Sequence, residues 1–237
     1  MSWRNATIAK VRAVECTFEP RDWPWAAQEA TRIAAHWRAR VAERPQLFDG
    51  RVFLQHRGAL EGDVFRGAYL ETRYSSFLAW RDFGFPDKSV RNCYAAAALM
   101  SSDGAFLLGE MNSHTATAGR IYFAAGTPDR EDLVDGRVDL EGSVLRELGE
   151  ETGLAADEVD LTAGWTLAIG PHDIACLKLA RARVDAAALQ MQIHAFLARD
   201  PQPELARTHV VRRLSDVEEA RVPAMTYAYL RHVLGGK

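Results

Sequence analysis

The segment Arg146-Glu147-Leu148-Gly149-Glu150-Glu151-Thr152-Gly153-Leu154 constrains this chain more than any other stretch. Glu147, Glu150 and Glu151 stand at i, i+3 and i+4, so a helix carries all three carboxylates on one face. Val144, Leu145 and Leu148 form the buried side of the same helix, and Gly153 is well placed as its C-terminal stop. Arg146 lies four residues before Glu150 and can pair with or orient a carboxylate. Clustered carboxylates repel one another unless a cation neutralises them, and a hard, oxygen-seeking ion such as Mg²⁺ is the natural partner. Three glutamates alone would equally suit a solvated acidic face. The residues around them decide between the two.

The apolar spacing predicts helices over residues 26–41, 74–83, 140–152, 185–198 and 224–233. Asp22 and Pro24 sit at the expected start of the first, and Asp185 is the expected N-cap of the fourth. Strands are expected over 51–56 and 64–70 with a turn at 58–63, then over 94–100, 106–108, 121–125, 166–169, 174–182 and 209–211. Gly126-Thr127-Pro128 stops the strand at 121–125, and a charged loop leads from there to the helix at 140–152. A boundary at 84–87 divides the chain into an N-terminal extension, 1–90, and a second unit, 91–237. With 237 residues and 48% apolar composition, the chain can bury a sizeable core.

A formal charge of −3 argues against bulk attraction to nucleic acid, so an anionic substrate needs a local basic pocket or a metal. Cys16, Cys93 and Cys176 are few and far apart, with no CxxC spacing, which speaks against a zinc site or a disulfide framework. A reducing cytoplasm fits that usage. No signal peptide and no membrane span is evident. The expected partner is therefore a small molecule, with neither nucleic acid nor membrane, and assembly as a homodimer is left open.

The helix segment resembles the second half of the Nudix box, G-x5-E-x7-R-E-U-x-E-E-x-G-U, where U is a bulky aliphatic residue. Arg146-Glu147-Leu148, Glu150-Glu151 and Gly153-Leu154 match every specified position of that half. From ordinary residue usage, a random chain of this length would do so on the order of once in a hundred thousand. The first half departs from the pattern. The family glutamate is replaced by Val138, and Asp132 stands where the family glycine would be. If Gly126 takes the role of the opening glycine, the loop holds an insertion, in the tract 129–139. Asp139 and Glu141 are the candidates to replace the missing glutamate.

The resemblance implies a Nudix-type α/β/α sandwich with a mixed sheet, preceded here by a helix-and-hairpin extension. It implies a hydrolase dependent on Mg²⁺ or Mn²⁺ that cleaves the phosphoanhydride of a nucleoside diphosphate derivative. Glu147, Glu150 and Glu151 would hold the metal, Glu147 and Arg146 would act in catalysis, and Gly126 and Thr127 would lie against metal or substrate. Glu204 is the candidate later carboxylate, and His172 and Asp173 are candidate substrate contacts. The extension is more loosely similar to that of the Nudix subfamily that hydrolyses UDP-glucose and UDP-galactose. There Trp80 and Phe83 could stack on a base, while Arg73 and Arg81 could contact phosphates. Trp80 as a core anchor is the alternative. The alternative activities are a CoA or ADP-ribose pyrophosphatase, or a Nudix-like regulatory domain that binds a nucleotide without cleaving it.

Overall fold

The computed structural model describes residues 6–235. In chain order the elements are β1 (Thr7–Val11), β2 (Ala13–Phe18), α1 (Pro24–Gln28), α2 (Ala30–Glu43), β3 (Arg51–Glu61), β4 (Val64–Arg73), α3 (Tyr74–Asp82), β5 (Asn92–Met100), β6 (Phe106–Met111), β7 (Ile121–Tyr122) and β8 (Ala125–Gly126). There follow β9 (Leu133–Val134), β10 (Arg137–Val138), α4 (Leu140–Thr152), β11 (Val159–Leu161), β12 (Trp165–Ile169), β13 (Asp173–Ala182), α5 (Ala186–Leu197), β14 (Leu205–Val211) and α6 (Ala224–Leu234).

Two mixed sheets organise these elements. The larger runs β1-β12-β13-β5-β6-β14, with β11 on β13, β7 on β6 and β8 on β5. Its centre is the parallel pair β5–β13, where Asp173 lies opposite Asn92. Alternation along β5 shows why both faces are covered. Cys93, Ala95, Ala97 and Leu99 point into one core with Leu140, Val144 and Leu148 of α4 and Leu189, Ile193 and Leu197 of α5. Ala96 and Ala98 point into the opposite core with Met225, Tyr229 and Leu230 of α6. Helices therefore cover both faces, the mixed α/β/α sandwich expected from the sequence.

The smaller sheet runs β3-β4-β2-β10-β9. The strand pairings cross residue 90 in both directions. β1 joins the larger sheet through β12, while β9 and β10 join the smaller one through Arg137 opposite Thr17. The charged tract at 129–139 thus contains a built hairpin, β9–β10, after a short helical turn at Arg130–Asp132. Asp135 and Gly136 both have positive φ, 50° and 75°, the backbone that a tight two-residue hairpin turn requires.

Local structure departs from the sequence reading at several points. The first helix breaks at Glu29 into α1 and α2, and its N-cap is Trp23 rather than Asp22, with Pro24 in the first turn. β3 does not turn at Gly58 but pairs on to Glu61, and only Gly62 and Asp63 reverse the chain. Gly58 lies opposite Gly67, and the buried Gln55 side chain occupies the space a Cβ at either would need. These are strand glycines making room for a neighbour. β1 and β2 were not anticipated, because their half-buried positions leave no apolar run to read.

A third cluster packs around α3: Trp23, Leu54, Leu70, Phe77, Trp80 and Val90. Trp80 is 0% exposed, and its indole N–H donates to the Asp87 carbonyl at 2.8 Å. Among the described residues, no helix is long and apolar enough to cross a membrane. Truncating a buried tryptophan leaves a cavity and an unpaired carbonyl, so Trp80→Ala should destabilise the protein by ~3–5 kcal/mol. Urea unfolding measures this, and a loss below ~1 kcal/mol would contradict the packing role.

Candidate functional site

The acidic helix forms as its sequence requires. The Asp139 carboxylate accepts the Gly142 N–H at 3.0 Å and caps α4, so Asp139 is spent on the helix start. Gly153 closes the other end at φ 73°, in the left-handed conformation that favours glycine. Glu141 pairs with the buried Lys178 at 2.6 Å. Neither candidate for the missing glutamate therefore approaches Arg146. The carboxylate beside Arg146 is that of Asp132. Its buried carboxylate receives Nε and Nη2 of Arg146 at 3.1–3.3 Å and also accepts the Asp129 N–H at 3.1 Å. The sequence signal was a charged residue in the insertion, but its reach depends on the β9–β10 hairpin that follows it.

Arg146 lies among three carboxylates. Nη2 is also 2.9 Å from Glu147 Oε1, and Nη1 is 3.1 Å from Glu150 Oε2. Burial works against the guanidinium charge, but Glu147, Asp132 and Glu150 outweigh it and raise the Arg146 pKa. Glu147 presses against Gly126, where any Cβ would overlap its carboxylate. The deeply buried Glu151 accepts the Ala125 N–H at 3.1 Å. The carboxylate face of α4 is thereby seated on β8.

Charge is concentrated here at a cost. Burial pushes Glu147 up to about 7, with Arg146 opposing and Glu150, Asp132 and Glu204 adding to the rise. Burial likewise raises Glu151 well above the usual carboxylate range. The Ala125 N–H opposes that rise, and Glu147, Glu204 and Glu150 reinforce it. Glu204 is raised by burial and then by Glu150. Four glutamates thus lie within electrostatic reach of one another, with oxygen donors only. Among the described residues, no group of three His, Cys, Asp or Glu side chains is drawn together tightly enough to hold a metal ion. Arg146 serves as the counter-cation for Glu147 and Glu150. In donor type the glutamates fit a hard divalent cation.

A cleft of about 680 Å³ opens beside them. Glu147, Glu204, Gly126, Thr127, Arg81 and Asp173 all line it, so the structure brings these six expected residues together. The remaining expected substrate contacts do not line it. Trp80 faces the extension core, Arg73 is exposed beside Asp49 at 3.4 Å, and the His172 ring stacks on Phe85 at 4.4 Å. Phe83 packs against His36 and under Arg32. Helix period explains the difference between neighbours. Tyr74, Phe77 and Arg81 share a stripe of α3 at i, i+3 and i+7 that faces the cleft, and Trp80 falls off it.

Sequence reading missed Asn92, Tyr94, His114, Tyr122 and Phe48, which also line the cleft. The i, i+3, i+7 stripe could have revealed Tyr74, but nothing local marks Asn92 or Phe48. Phe48 is 82% exposed on a loop pinned at both sides. Gln46 donates to the His114 carbonyl at 2.7 Å, and Asp49 accepts the Ser75 N–H at 2.8 Å.

No family model matches the chain, and no curated protein matches it. Solved structures similar to it include a Nudix hydrolase from M. smegmatis, RenU, at 16% identity and TM-score 0.37, covering 60% of this chain and 83% of that one. A MutT protein from Methanosarcina mazei Go1 is similar at 19% identity and TM-score 0.39, covering 60% and 91%. A bifunctional NMN adenylyltransferase/ADP ribose pyrophosphatase from Francisella tularensis is similar at 11% identity and TM-score 0.40, covering 66% and 44%. Identities under 25% with TM-scores under 0.5 decide nothing about the chemistry of this chain.

The Asp132–Arg146 pair should show as a coupling energy. In a double-mutant cycle with Asp132→Ala and Arg146→Ala, unfolding should give an interaction of ~1–3 kcal/mol, whereas Glu141→Ala with Arg146→Ala should give close to none. Equal coupling in the two cycles would contradict the assignment.

Asp173 carries a pH signature. Burial pushes it up to about 6 from an ordinary 3.8, with Arg81 and the Asn92 hydrogen bond opposing. The folded state then binds this proton more tightly than the unfolded one, so stability is lost as pH rises from about 4 to about 6. Asp173→Asn should therefore melt higher than the parent at pH 7.5, and this advantage should shrink at pH 4. An advantage that grows toward pH 4 would reverse the sign.

Proposed function

We propose that the chain is a hydrolase of the Nudix type, cleaving the phosphoanhydride of a nucleoside diphosphate derivative with the help of Mg²⁺ or Mn²⁺. One observation carries the reading. Glu147 and Glu204 line one cleft large enough for a nucleotide derivative, Glu147 pressed against a glycine that leaves no room for a side chain, and Glu150 and Glu151 of the same helix lie within electrostatic reach of both. Evolution of a stable surface has no use for buried like charges, whereas phosphoryl transfer needs charge neutralised at a fixed place.

In this reading Glu147, Glu150 and Glu151 would hold the divalent ion once their carboxylates, turned here to Arg146 and to the Ala125 N–H, are drawn together around it. When bound, such an ion supplies positive charge to the phosphate oxygens and makes a water easier to deprotonate. The protein's own groups do the rest. Arg146, held by Asp132, orients the carboxylates of Glu147 and Glu150. Glu204 lines the same cleft, and its raised pKa suits a group that takes a proton from water at its carboxylate. Arg81 offers a guanidinium to a phosphate. Tyr74, Phe77, Tyr94 and Tyr122 line the cleft and exclude water from part of it. A nucleoside diphosphate sugar is one substrate of this class, and CoA or ADP-ribose are others.

The second reading is a nucleotide-binding module without cleavage. In its favour, Arg146 already neutralises Glu147 and Glu150. One assay separates the two: a panel of nucleoside diphosphate derivatives with Mg²⁺ or Mn²⁺, products read by mass. The hydrolase reading expects a nucleoside monophosphate and a phosphorylated second half. Glu150→Gln and Glu151→Gln should each lower turnover by about two orders of magnitude or more while the fold persists. Excess EDTA should abolish activity. Near-normal rates in both variants, or full activity in EDTA, would refute the proposal.

A further inference from the structure

At the cleft wall formed by the parallel pair β5–β13, three side chains from separate segments stand in a row. The Thr127 hydroxyl donates to Asn92 Oδ1 at 3.2 Å. That leaves the Asn92 amide nitrogen as a donor beside the Asp173 carboxylate, whose ionised form it favours. Asn92 and Asp173 are also directly opposed across the two strands, so backbone pairing fixes both. All three residues line the cleft. Arg81 lines it too and is close enough to act electrostatically on Asp173. Its own hydrogen bond, at 3.2 Å, goes to Asp82 instead.

This arrangement sets the chemistry of what binds there. An ionised carboxylate accepts hydrogen bonds and donates none. One Asn92 donor does not fill the acceptor capacity of two oxygens. Half-buried at the cleft wall, the Asp173 carboxylate keeps acceptor sites that a ligand can take over from water. Thr127 adjoins Gly126, which lies against Glu147, so the row runs from the acidic end of the cleft to Asp173. A substrate with its phosphates at the glutamates can extend along this wall.

We infer that Asp173, set beside Asn92 by the strand pairing, is the residue that selects the substrate, by accepting hydrogen bonds from a group presenting adjacent donors. The inference rests on the reading of the cleft as a site for nucleoside diphosphate derivatives. Two parts of such a molecule carry that chemistry: an N–H edge of the base, or neighbouring hydroxyls of a sugar. Aromatic walls formed by Tyr74, Phe77 and Tyr94 suit a ring in either. Leaving a buried polar group unpaired is what makes such a site discriminate.

The test is a kinetic panel in two arms with the parent and Asp173→Asn. One arm holds glucose constant and varies the base, with UDP-, GDP-, ADP- and CDP-glucose. The other holds the base constant and varies the sugar, with UDP-glucose, UDP-galactose and UDP-xylose. The variant keeps the shape but replaces one acceptor by a donor. It should raise KM for the parent's best substrate about ten-fold or more, change kcat far less, and flatten the spread of kcat/KM in one arm. The flattened arm identifies the base or the sugar as the group recognised. Arg81→Gln, at a partly exposed position, should raise KM without flattening either arm. A folded Asp173→Asn with unchanged KM, or an unchanged spread in both arms, overturns the inference.

Failure of the hydrolase reading looks different: the parent then turns over no compound in the panel. In that case binding of the same compounds is read by thermal shift without turnover. The inference expects at least one to stabilise the parent and not Asp173→Asn. If none stabilises the parent, or if both proteins respond equally, the inference falls.

Discussion

The ion pair between Asp132 and Arg146 ties together parts of the chain that sequence order keeps apart. Arg146 sits on α4, Asp132 at the start of an inserted hairpin, and that hairpin is the edge of the smaller sheet. Through this pair the N-terminal region supports the acidic face of α4, although it contributes no carboxylate to it. Breaking the pair would leave a buried carboxylate without its cation, the costly half of any buried ion pair. It would also free the guanidinium that separates Glu147 from Glu150. The placement of the site thus depends on a partner, Asp132, that lies outside the segment 146–154.

The site itself is a balance between burial and repulsion. Packing α4 against β8 forces Glu147 and Glu151 out of water, and their pKa values rise in consequence. Gly126 makes the contact sterically possible, and the Ala125 N–H gives Glu151 one fixed partner. Such a cluster stores unfavourable electrostatic energy, which Arg146 relieves only in part. A divalent cation would relieve more of it, and that differential is what links the geometry to the proposed activity.

How much of this was legible in the sequence follows from the range of each interaction. The α4 helix, its glycine stop and its three carboxylates are set by contacts within a few residues, and the spacing of Glu147, Glu150 and Glu151 showed them directly. Gly126 and Glu204 could be singled out by position and residue type, but the cleft that unites them is formed by six or more segments. Trp80 shows the limit. An aromatic residue beside an arginine suits a nucleotide site and a core equally, and only the phase of α3 against Trp23 and Phe85 decides for the core. Asp132 was passed over for the same reason. Its partner is fourteen residues away across a hairpin, and the nearer acidic residues, Asp139 and Glu141, are taken by a helix cap and by Lys178. Asn92 became visible only once β5 and β13 were seen to pair in parallel.

The central claim is that the glutamate face of α4 is a divalent-cation site. Electron paramagnetic resonance of free Mn²⁺ during titration of the metal-stripped protein tests it without reference to any substrate. The account predicts that the protein removes free Mn²⁺ at one or more saturable sites, that Mg²⁺ competes, and that Glu147→Gln with Glu151→Gln abolishes the uptake in a protein that still folds. Mn²⁺ uptake that persists undiminished in that double variant, or no uptake by the folded parent at millimolar metal, would contradict it.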